Sequence, residues 1–353
     1  MNYHIIRGNE KSMKKELFCV LVCMLMILST IVPVSATTVS EKTSQPLTRG
    51  NTLYVGGVGP NNYSKIQDAI NNATNGDTIF VYDESSPYYE NIIIEKSIIL
   101  QGEDKNSTII TAITGANNSY GVNITADVVS LSGFTIQNFS YGIYLTSNKN
   151  LISDTIFRDN YFGIQTHYDN LSDSIPPHLG HNTIMNNFFI NNSMGIFGVS
   201  GWNNTIQGNM ITLNYFGITI GASVNAIASL NHIYENYIGM TVLGSYNTMV
   251  SHNNFTANEL GVFTFLTSAD NILENNFIGN NWSAMSHQRL LANIRHLKIE
   301  LGLPVQRNVW RGNYWDESRV LPYMIPGVIM TVFFKAHVGF QFDWHPAQEP
   351  YDI

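Results

Sequence analysis

Residues 204–224 read NTIQGNMITLNYFGITIGASV, and the same outline returns in the segments that begin at Asn182 (NTIMNNFFINNSMGIFGVS) and Asn247 (NTMVSHNNFTANELGVFTF). Each copy joins Asn-Thr-Ile or Asn-Thr-Met to a later Asn-x-x-Gly, with hardly any charged residue between copies. Self-similarity at a fixed spacing is the signature of repeat architectures. The spacing of these copies therefore decides the fold class.

Three columns of residues step through the sequence together, mostly 22 residues at a time. The first is the asparagine of Asn-x-x-Gly, with one longer step: Asn160, Asn192, Asn214, Asn236, Asn258. The second is Asn187, Asn209, Asn231, Asn253. The third is Asn182, Asn204, Asn225, Asn247, Asn271, each followed two positions later by an aliphatic residue: Ile184, Ile206, Ile227, Met249, Leu273.

Apolar residues alternate over short spans within each unit, and Gly or Asn interrupts them every few residues. This pattern predicts short strands joined by tight turns, because a helical solenoid needs long runs without such breakers. A leucine-rich repeat lacks support, since its leucine signature is absent. We therefore predict an all-β protein, a parallel β-helix with three strands in each coil of about 22 residues.

Stacking places equivalent residues of successive coils above one another, about 4.8 Å apart. The asparagines are then expected to form ladders of side-chain amides at the turns. The aliphatic positions are expected to fill the interior, with Ile196, Ile218 and Met240 in one column. On this interpretation the repeated asparagines are mostly architectural.

The repeat resembles the right-handed β-helix of the pectin-lyase-like superfamily, and in particular its NosD-like group of secreted repeat proteins. Residues 63–103 are similar to that superfamily's entry region, with a short helix capped by Ser64 that covers the open end of the stack. Ile66, Ala69, Ile70 and Ala73 would form its buried face. Residues 312–317 and 342–353 resemble endings of such surface proteins.

The predicted division of the chain is a signal peptide (1–36), a flexible linker (37–50), an N-terminal cap with the first coils (51–103), the repeats (104–282) and a C-terminal helix and capping region (283–353). The longer first step implies an inserted loop at residues 168–180. Residues 283–304 switch to helical spacing at Leu290, Ile294, Leu297 and Leu301. The apolar residues 319–334 indicate a cap, with membrane contact as the alternative.

The N-terminal segment is typical of a secretory signal. Lys14 and Lys15 precede an apolar run, and Ala36 ends a predicted cleavage site. Met13 is an alternative start, and an uncleaved membrane anchor is the competing interpretation. Both cysteines, Cys19 and Cys23, lie inside this run, so the cleaved chain would have no thiol chemistry. We predict a secreted or cell-surface location.

Composition narrows the function classes. The 353 residues carry a formal charge of −8 and are only 12% charged, which argues against a nucleic-acid partner. No Lys or Arg occurs between Arg158 and Arg289. This stretch therefore has no cationic side chain that could bind the carboxylates of an acidic polysaccharide. Lyase activity is therefore disfavoured. A hydrolase on neutral sugars stays open, with Glu235 and Glu259 on neighbouring coils as its carboxyl pair.

Tyr215 and Tyr237 follow turn asparagines and are expected to point outward, beside Glu235 and Glu259. Exposed aromatic rings next to carboxylates suit sugar binding. We therefore predict a non-catalytic surface protein that binds a polysaccharide or surface glycan there. An aromatic ladder that only stabilises the turns is the alternative. The same reasoning takes Phe162, Phe216 and Ile238 as inward-facing.

Histidines raise a metal alternative, because NosD-like proteins are associated with copper-site assembly. His167, His178 and His181 flank the inserted loop, and Asp169 and Asp173 lie within it. Imidazoles and carboxylates bind divalent metals, but the spacing forms no compact motif. No other cofactor is predicted, and the oligomeric state stays open.

Overall fold

The computed structural model describes residues 50–112, 120–166, 180–289, 307–330 and 336–353. These residues form a right-handed parallel β-helix, as the 22-residue period predicts. One α-helix, α1 (Ile66–Asn72), and one short 3-10 helix (Asp83–Ser85) occur among them. No helix in the described residues is long and apolar enough to cross a membrane.

The strands are mostly short and, apart from the first three and the last one, follow one another in groups of three, one strand for each sheet. In the N-terminal part they are β1 (Thr52–Val55), β2 (Thr78–Val81), β3 (Ile92–Ile94), β4 (Ile99–Gly102), β5 (Ile109–Thr111), β6 (Tyr120–Ile124), β7 (Ser130–Ser132), β8 (Thr135–Gln137), β9 (Tyr141–Leu145), β10 (Leu151–Ser153), β11 (Ile156–Arg158) and β12 (Phe162–Thr166). The regular repeats hold β13 (Thr183–Met185), β14 (Phe188–Ile190), β15 (Met194–Trp202), β16 (Thr205–Gln207), β17 (Met210–Thr212), β18 (Phe216–Val224), β19 (Ile227–Ser229), β20 (His232–Tyr234), β21 (Ile238–Leu243), β22 (Met249–Ser251), β23 (Asn254–Thr256) and β24 (Leu260–Phe265). The C-terminal end adds β25 (Asn271–Leu273), β26 (Asn276–Ile278), β27 (Trp282–Arg289), β28 (Val309–Arg311), β29 (Tyr314–Trp315), β30 (Tyr323–Met330) and β31 (Ala336–Asp343).

Three sheets run along the axis. Sheet A has eleven strands in the order β1-β2-β4-β7-β10-β13-β16-β19-β22-β25-β28, and sheet B has nine in the order β29-β26-β23-β20-β17-β14-β11-β8-β5. Sheet C has eleven, β3-β6-β9-β12-β15-β18-β21-β24-β27-β30-β31. All pairings are parallel except that of β30 with β31. A chain that returns to the same sheet once per coil produces this order.

The interior is filled by stacked apolar columns. Ile196 pairs with Ile218 and Ile218 with Met240, so the predicted column is confirmed. Phe255, Phe277 and Trp315 stack along another column, with ring centroids 5.0 and 4.5 Å apart. All are buried.

The glycine of Asn-x-x-Gly has a steric role. A Cβ at Gly217 would lie 2.4 Å from the carbonyl oxygen of Gly239, and one at Gly239 would lie 2.7 Å from that of Gly261. These distances are too short for any side chain, so from β6 to β24 the start of each strand in sheet C has glycine where it approaches the next coil. The motif therefore marks the corner between sheets B and C.

Asparagine ladders fill the turns. In the turn from sheet A to sheet B, the Asn209 N–H donates to the Asn231 Oδ1 and the Asn231 N–H to the Asn253 Oδ1, both at 3.0 Å. This ladder ends at Asp343, whose Oδ2 accepts the Asn313 N–H at 2.9 Å and the Trp315 Nε1–H at 3.1 Å. A second ladder in the turn from B to C contains Asn160, Asn192, Asn214, Asn236, Asn258 and Asn280.

The third column is wrong over part of its length. In the turn from sheet C to sheet A, the inward positions after Asn204 are Ala226, Thr248 and Asp270. Asn225 instead continues an exposed amide row from Asn203, and Ile227 lies on the outer face of sheet A. The observed register differs from the prediction by one residue. The prediction aligned Asn204 with Asn225, whereas in the structure the adjacent Asn203 aligns with Asn225 and Asn204 aligns with Ala226.

Helix α1 covers the N-terminal end, and its predicted apolar face is buried. Its N-cap is Lys65 and not Ser64. The Glu90 carboxylate accepts the Ile66 and Gln67 N–H groups at 2.9 and 3.0 Å instead. A carboxylate from the next coil therefore satisfies the free N–H groups that open the helix.

The predicted C-terminal helix is wrong for residues 283–289, which belong to β27 and pair with β24 and β30. The residues that carry the helical spacing begin only at Leu290, so the prediction started the helix too early. The rest of that segment, residues 290–304, lies outside the described residues, as do the signal peptide and nearly all of the linker.

Candidate functional site

Tyr215 and Tyr237 lie on successive coils at the turn from sheet B to sheet C. Each follows a buried ladder asparagine, Asn214 or Asn236, so its side chain points away from the core. The two rings stack, with centroids 4.6 Å apart and planes 11° from parallel. Tyr215 is 37% exposed. The structure therefore brings these two predicted residues together on the surface.

Glu259 extends this row by one coil. Its backbone N–H donates to the Asn236 carbonyl oxygen at 3.0 Å, and its Oε2 accepts a hydrogen bond from the Asn281 Nδ2 at 2.7 Å. Trp282, which is 53% exposed, follows Asn281 and pairs with Leu260. We call Tyr215, Tyr237, Glu259, Asn281 and Trp282 the turn strip.

Glu235 lies across the ladder from Tyr237, because Asn236 between them points inward. It lines a shallow depression of about 270 Å³ on the outer face of sheet B with His232, Tyr234, Asn254, Thr256 and Ala257. Glu235 and Glu259 thus flank the asparagine ladder on opposite sides. Their use as a hydrolase pair stays a prediction.

Phe216 and Ile238 do not join the main core, contrary to the prediction. They are buried in a separate apolar cluster with Leu260, Phe263 and Phe265, while the neighbouring Ile218 and Met240 are in the core. Phe162 is half-buried. Because the glycine of the motif already takes the inward position at the corner, the residue before it turns outward. The turn strip therefore borders an apolar outer face of sheet C.

Toward the N-terminus the same outer face is aromatic. Tyr120 stacks on Tyr141 at 4.9 Å and Tyr141 on Phe162 at 5.2 Å, and Phe162 lies 5.2 Å from Phe197. The sequence interpretation missed this surface. Its residues are separated by 21, 21 and 35 positions and therefore escape a search at a period of 22.

The proposed metal histidines are only partly described. His167 and His178 lie outside the described residues, and His181 is exposed with a φ of 57°. No group of three or more His, Cys, Asp or Glu residues suited to a metal ion occurs in the described part of the chain. The metal site stays a prediction.

Asp270 and His287 are among the groups with shifted pKa values. Burial raises the pKa of Asp270 to about 7, and burial lowers the pKa of His287. Asp270 sits in the ladder between sheets C and A, and His287 contacts the rings of Phe263 and Phe265. Neither belongs to the turn strip.

Fold and repeats together define a right-handed parallel β-helix protein. Within that class, the chain belongs to the NosD family. The family model, described as "Periplasmic copper-binding protein (NosD)", matches residues 70–258. A comparison with curated proteins found no match.

Solved structures support the fold. The chain is similar to the XylC complex with xylose, with 12% identity, a TM-score of 0.56, and 82% of this chain and 73% of the other covered. It is also similar to the A-module of the mannuronan C-5 epimerase AlgE4 from Azotobacter vinelandii, with 12% identity, a TM-score of 0.51, and 71% and 84% covered. At these identities the likeness concerns the fold alone.

Proposed function

We propose that this chain is an extracytoplasmic, non-catalytic β-helix protein that binds a neutral glycan along the turn strip. The stacked pair of the exposed Tyr215 and the half-buried Tyr237 carries the proposal. The description of the NosD family as periplasmic and the apolar N-terminal run with Ala36 at its end support the location.

The chemistry of the turn strip suits a sugar. The apolar face of a pyranose packs on aromatic rings, and the strip has Tyr215 and Tyr237 at one end and Trp282 at the other. Between them, Glu259 and Asn281 provide an acceptor and donors for hydroxyl groups. Cations are missing from this stretch of sequence, which favours a neutral chain over a uronate polymer.

Replacing both rings tests the proposal. We expect Tyr215→Ala/Tyr237→Ala to lose binding on a glycan array while the thermal midpoint changes little. Tyr161→Ala is the matched control, because Tyr161 is more exposed in the same column but Ser193 separates it from the pair. Undiminished binding by the double variant, or equal loss in the control, would reject the turn strip.

Carboxylate variants divide the site further. Glu259→Gln keeps the shape of the side chain but removes its charge, and we expect weaker binding because a carboxylate is the stronger acceptor for hydroxyl groups. Glu235→Gln should have a smaller effect, since Glu235 lies on the sheet B side of the ladder. A larger effect at Glu235 would indicate that the ligand binds in the depression around His232 instead.

The family match supports a second candidate function, a copper-related role outside the cytoplasm. The predicted ligands are His167, His178 and His181. Calorimetric titration of the protein with copper, zinc and calcium tests this role, with the triple histidine-to-alanine variant as the comparison. Heat no greater than that of buffer for each metal, or the same binding by the variant, would reject this site.

A further inference from the structure

The C-terminal ends of the three sheets differ. The final residues lie across sheets A and B: the Gly312 N–H donates to the His345 carbonyl oxygen and the Tyr351 N–H to the Asn276 Oδ1. Sheet C continues through the hairpin of β30 and β31. Within the described residues, β31 pairs with one strand only. Among these residues no strand pairs with the other edge of β31, whose main-chain donors and acceptors suit a further strand.

Strand β31 is held firmly on its inward side. The Gln341 Oε1 accepts the Trp310 Nε1–H at 2.7 Å, and its Nε2 donates to the Ser286 Oγ at 2.6 Å. Asp343 ends the asparagine ladder. An edge strand fixed in this way is already ordered, so pairing with it costs little conformational entropy.

The outward side chains in the described part of the hairpin are mostly apolar. Phe342 lies directly opposite Met324 in the hairpin and 5.2 Å from the Trp344 ring. The large apolar side chains exposed at this end are Val320, Leu321, Met324, Phe340, Phe342 and Trp344. The nearby charges of Glu317 and Arg319 form an ion pair with each other at 3.0 Å. The described part of β31 carries one charged side chain, Asp343. Because Asp343 is buried, its charge does not prevent another strand from pairing with this edge.

We propose that two copies of this chain dimerise through β31, paired antiparallel about a twofold axis. A twofold axis perpendicular to the strands makes identical strands antiparallel, and an antiparallel pair of the same strand satisfies its own hydrogen bonds. The exposed Phe340, Phe342 and Trp344, which lie on or next to β31, would bury roughly 300 Å² of side-chain surface on each partner, which suits a weak, reversible dimer. A second copy also satisfies the main-chain groups of the edge, which a lipid bilayer leaves unpaired.

Sedimentation velocity of the exported protein over a range of concentrations tests the proposal. We expect a reversible monomer–dimer equilibrium, and Phe340→Lys/Phe342→Lys should weaken it at least tenfold by repulsion between the copies. Met210→Lys is the matched control, because Met210 is 44% exposed in the middle of sheet B and Phe340 is 46% exposed. The control should dimerise as the wild type does.

Other outcomes decide against the dimer. A monomer at every concentration, or a dimer that the lysine variant leaves intact, would overturn it. So would a monomer that floats with phosphatidylcholine and phosphatidylglycerol vesicles through the same side chains. Should the lysine variant not fold, as judged by circular dichroism, Trp344→Arg replaces it. Amide exchange in β31 should also slow as concentration rises, and exchange independent of concentration would contradict edge pairing.

Discussion

Two of the turns link successive coils with different residues. The ladder between sheets A and B is an unbroken run of asparagines from Asn187 to Asn313, and each amide is bonded to the next coil. The ladder between sheets C and A is interrupted at Ala226 and continues with Thr248 and Asp270. The Thr248 Oγ1 and the Asp270 Oδ2 are buried without a hydrogen-bond partner in the described structure.

The difference shows what sets the coil spacing. Both turns keep the same 22-residue register, although only one keeps its asparagines. Strand pairing and the apolar columns therefore fix the stack, and the ladders add stability to it. Removing an asparagine from the complete ladder should therefore lower the free energy of unfolding strongly. In the incomplete ladder, the free energy of unfolding should depend on pH and should rise when an asparagine is added.

The largest effect is expected from Asn231→Ala in the unbroken ladder. The Asn231 side chain accepts the N–H and the Nδ2–H of Asn209 and donates to the Ile206 oxygen and the Asn253 Oδ1. Leaving these buried groups unpaired should lower the free energy of unfolding by about 3 kcal/mol. Chemical denaturation monitored by circular dichroism measures this loss.

The control is the same substitution at Asn254, which is half-buried on the outer face of sheet B and accepts one bond, from the Thr256 hydroxyl. Its cost should stay below about 1 kcal/mol. Equal losses at Asn231 and Asn254 would show that the ladder contributes no more than a surface amide.

Asp270 should make stability depend on pH. Burial raises the pKa of its carboxyl to about 7 in the folded chain, against about 4 in the unfolded chain. The folded state therefore binds the proton more tightly, and its stabilisation is complete below pH 4 and lost as pH rises through 7. Between pH 5 and 7 the free energy of unfolding should fall by about 2 kcal/mol, and Asp270→Asn should remove this fall.

Denaturation at several pH values tests this prediction, with Asp77→Asn as the control. Hydrogen bonding from the Thr74 backbone N–H lowers the pKa of Asp77, so the stabilisation from Asp77 is present above pH 4 and lost only as pH falls below that value. The Asp77 variant should therefore keep the wild-type slope between pH 5 and 7. If the Asp270 variant also kept the wild-type slope, a group other than Asp270 would be responsible for the dependence of stability on pH.

The two ladders also explain how far the sequence predicts the fold. Asn209 and Asn231 align without ambiguity, because neither has another asparagine directly beside it in the sequence. The adjacent Asn203 and Asn204 allow two alignments, and the next coil then offers Asn225 or Ala226. In the structure Ala226 takes the buried position above Asn204. Ala228 then faces the core, and Ile227 is exposed. Burial, which the sequence alone does not supply, settles the register.

The candidate site was predictable in part for the same reason. Tyr215 and Tyr237 follow ladder asparagines whose position the period determines, so their outward direction follows from alternation. The neighbour Phe216 was misplaced because the close approach of Gly217 to Gly239 adds a second inward residue at the corner. Such a local break in alternation depends on backbone packing between coils and has no signature in one coil's sequence.

The smallest effect is expected from repairing the interrupted ladder with Ala226→Asn. Ala226 is buried between Asn204 and Thr248, where an amide has ladder partners on both sides. New hydrogen bonds there should raise the free energy of unfolding by about 1 kcal/mol, as measured by denaturation. Ala226→Leu adds volume without an amide and should lower stability. If asparagine lowers it as much as leucine does, then space at this corner explains the interruption better than a missing hydrogen bond.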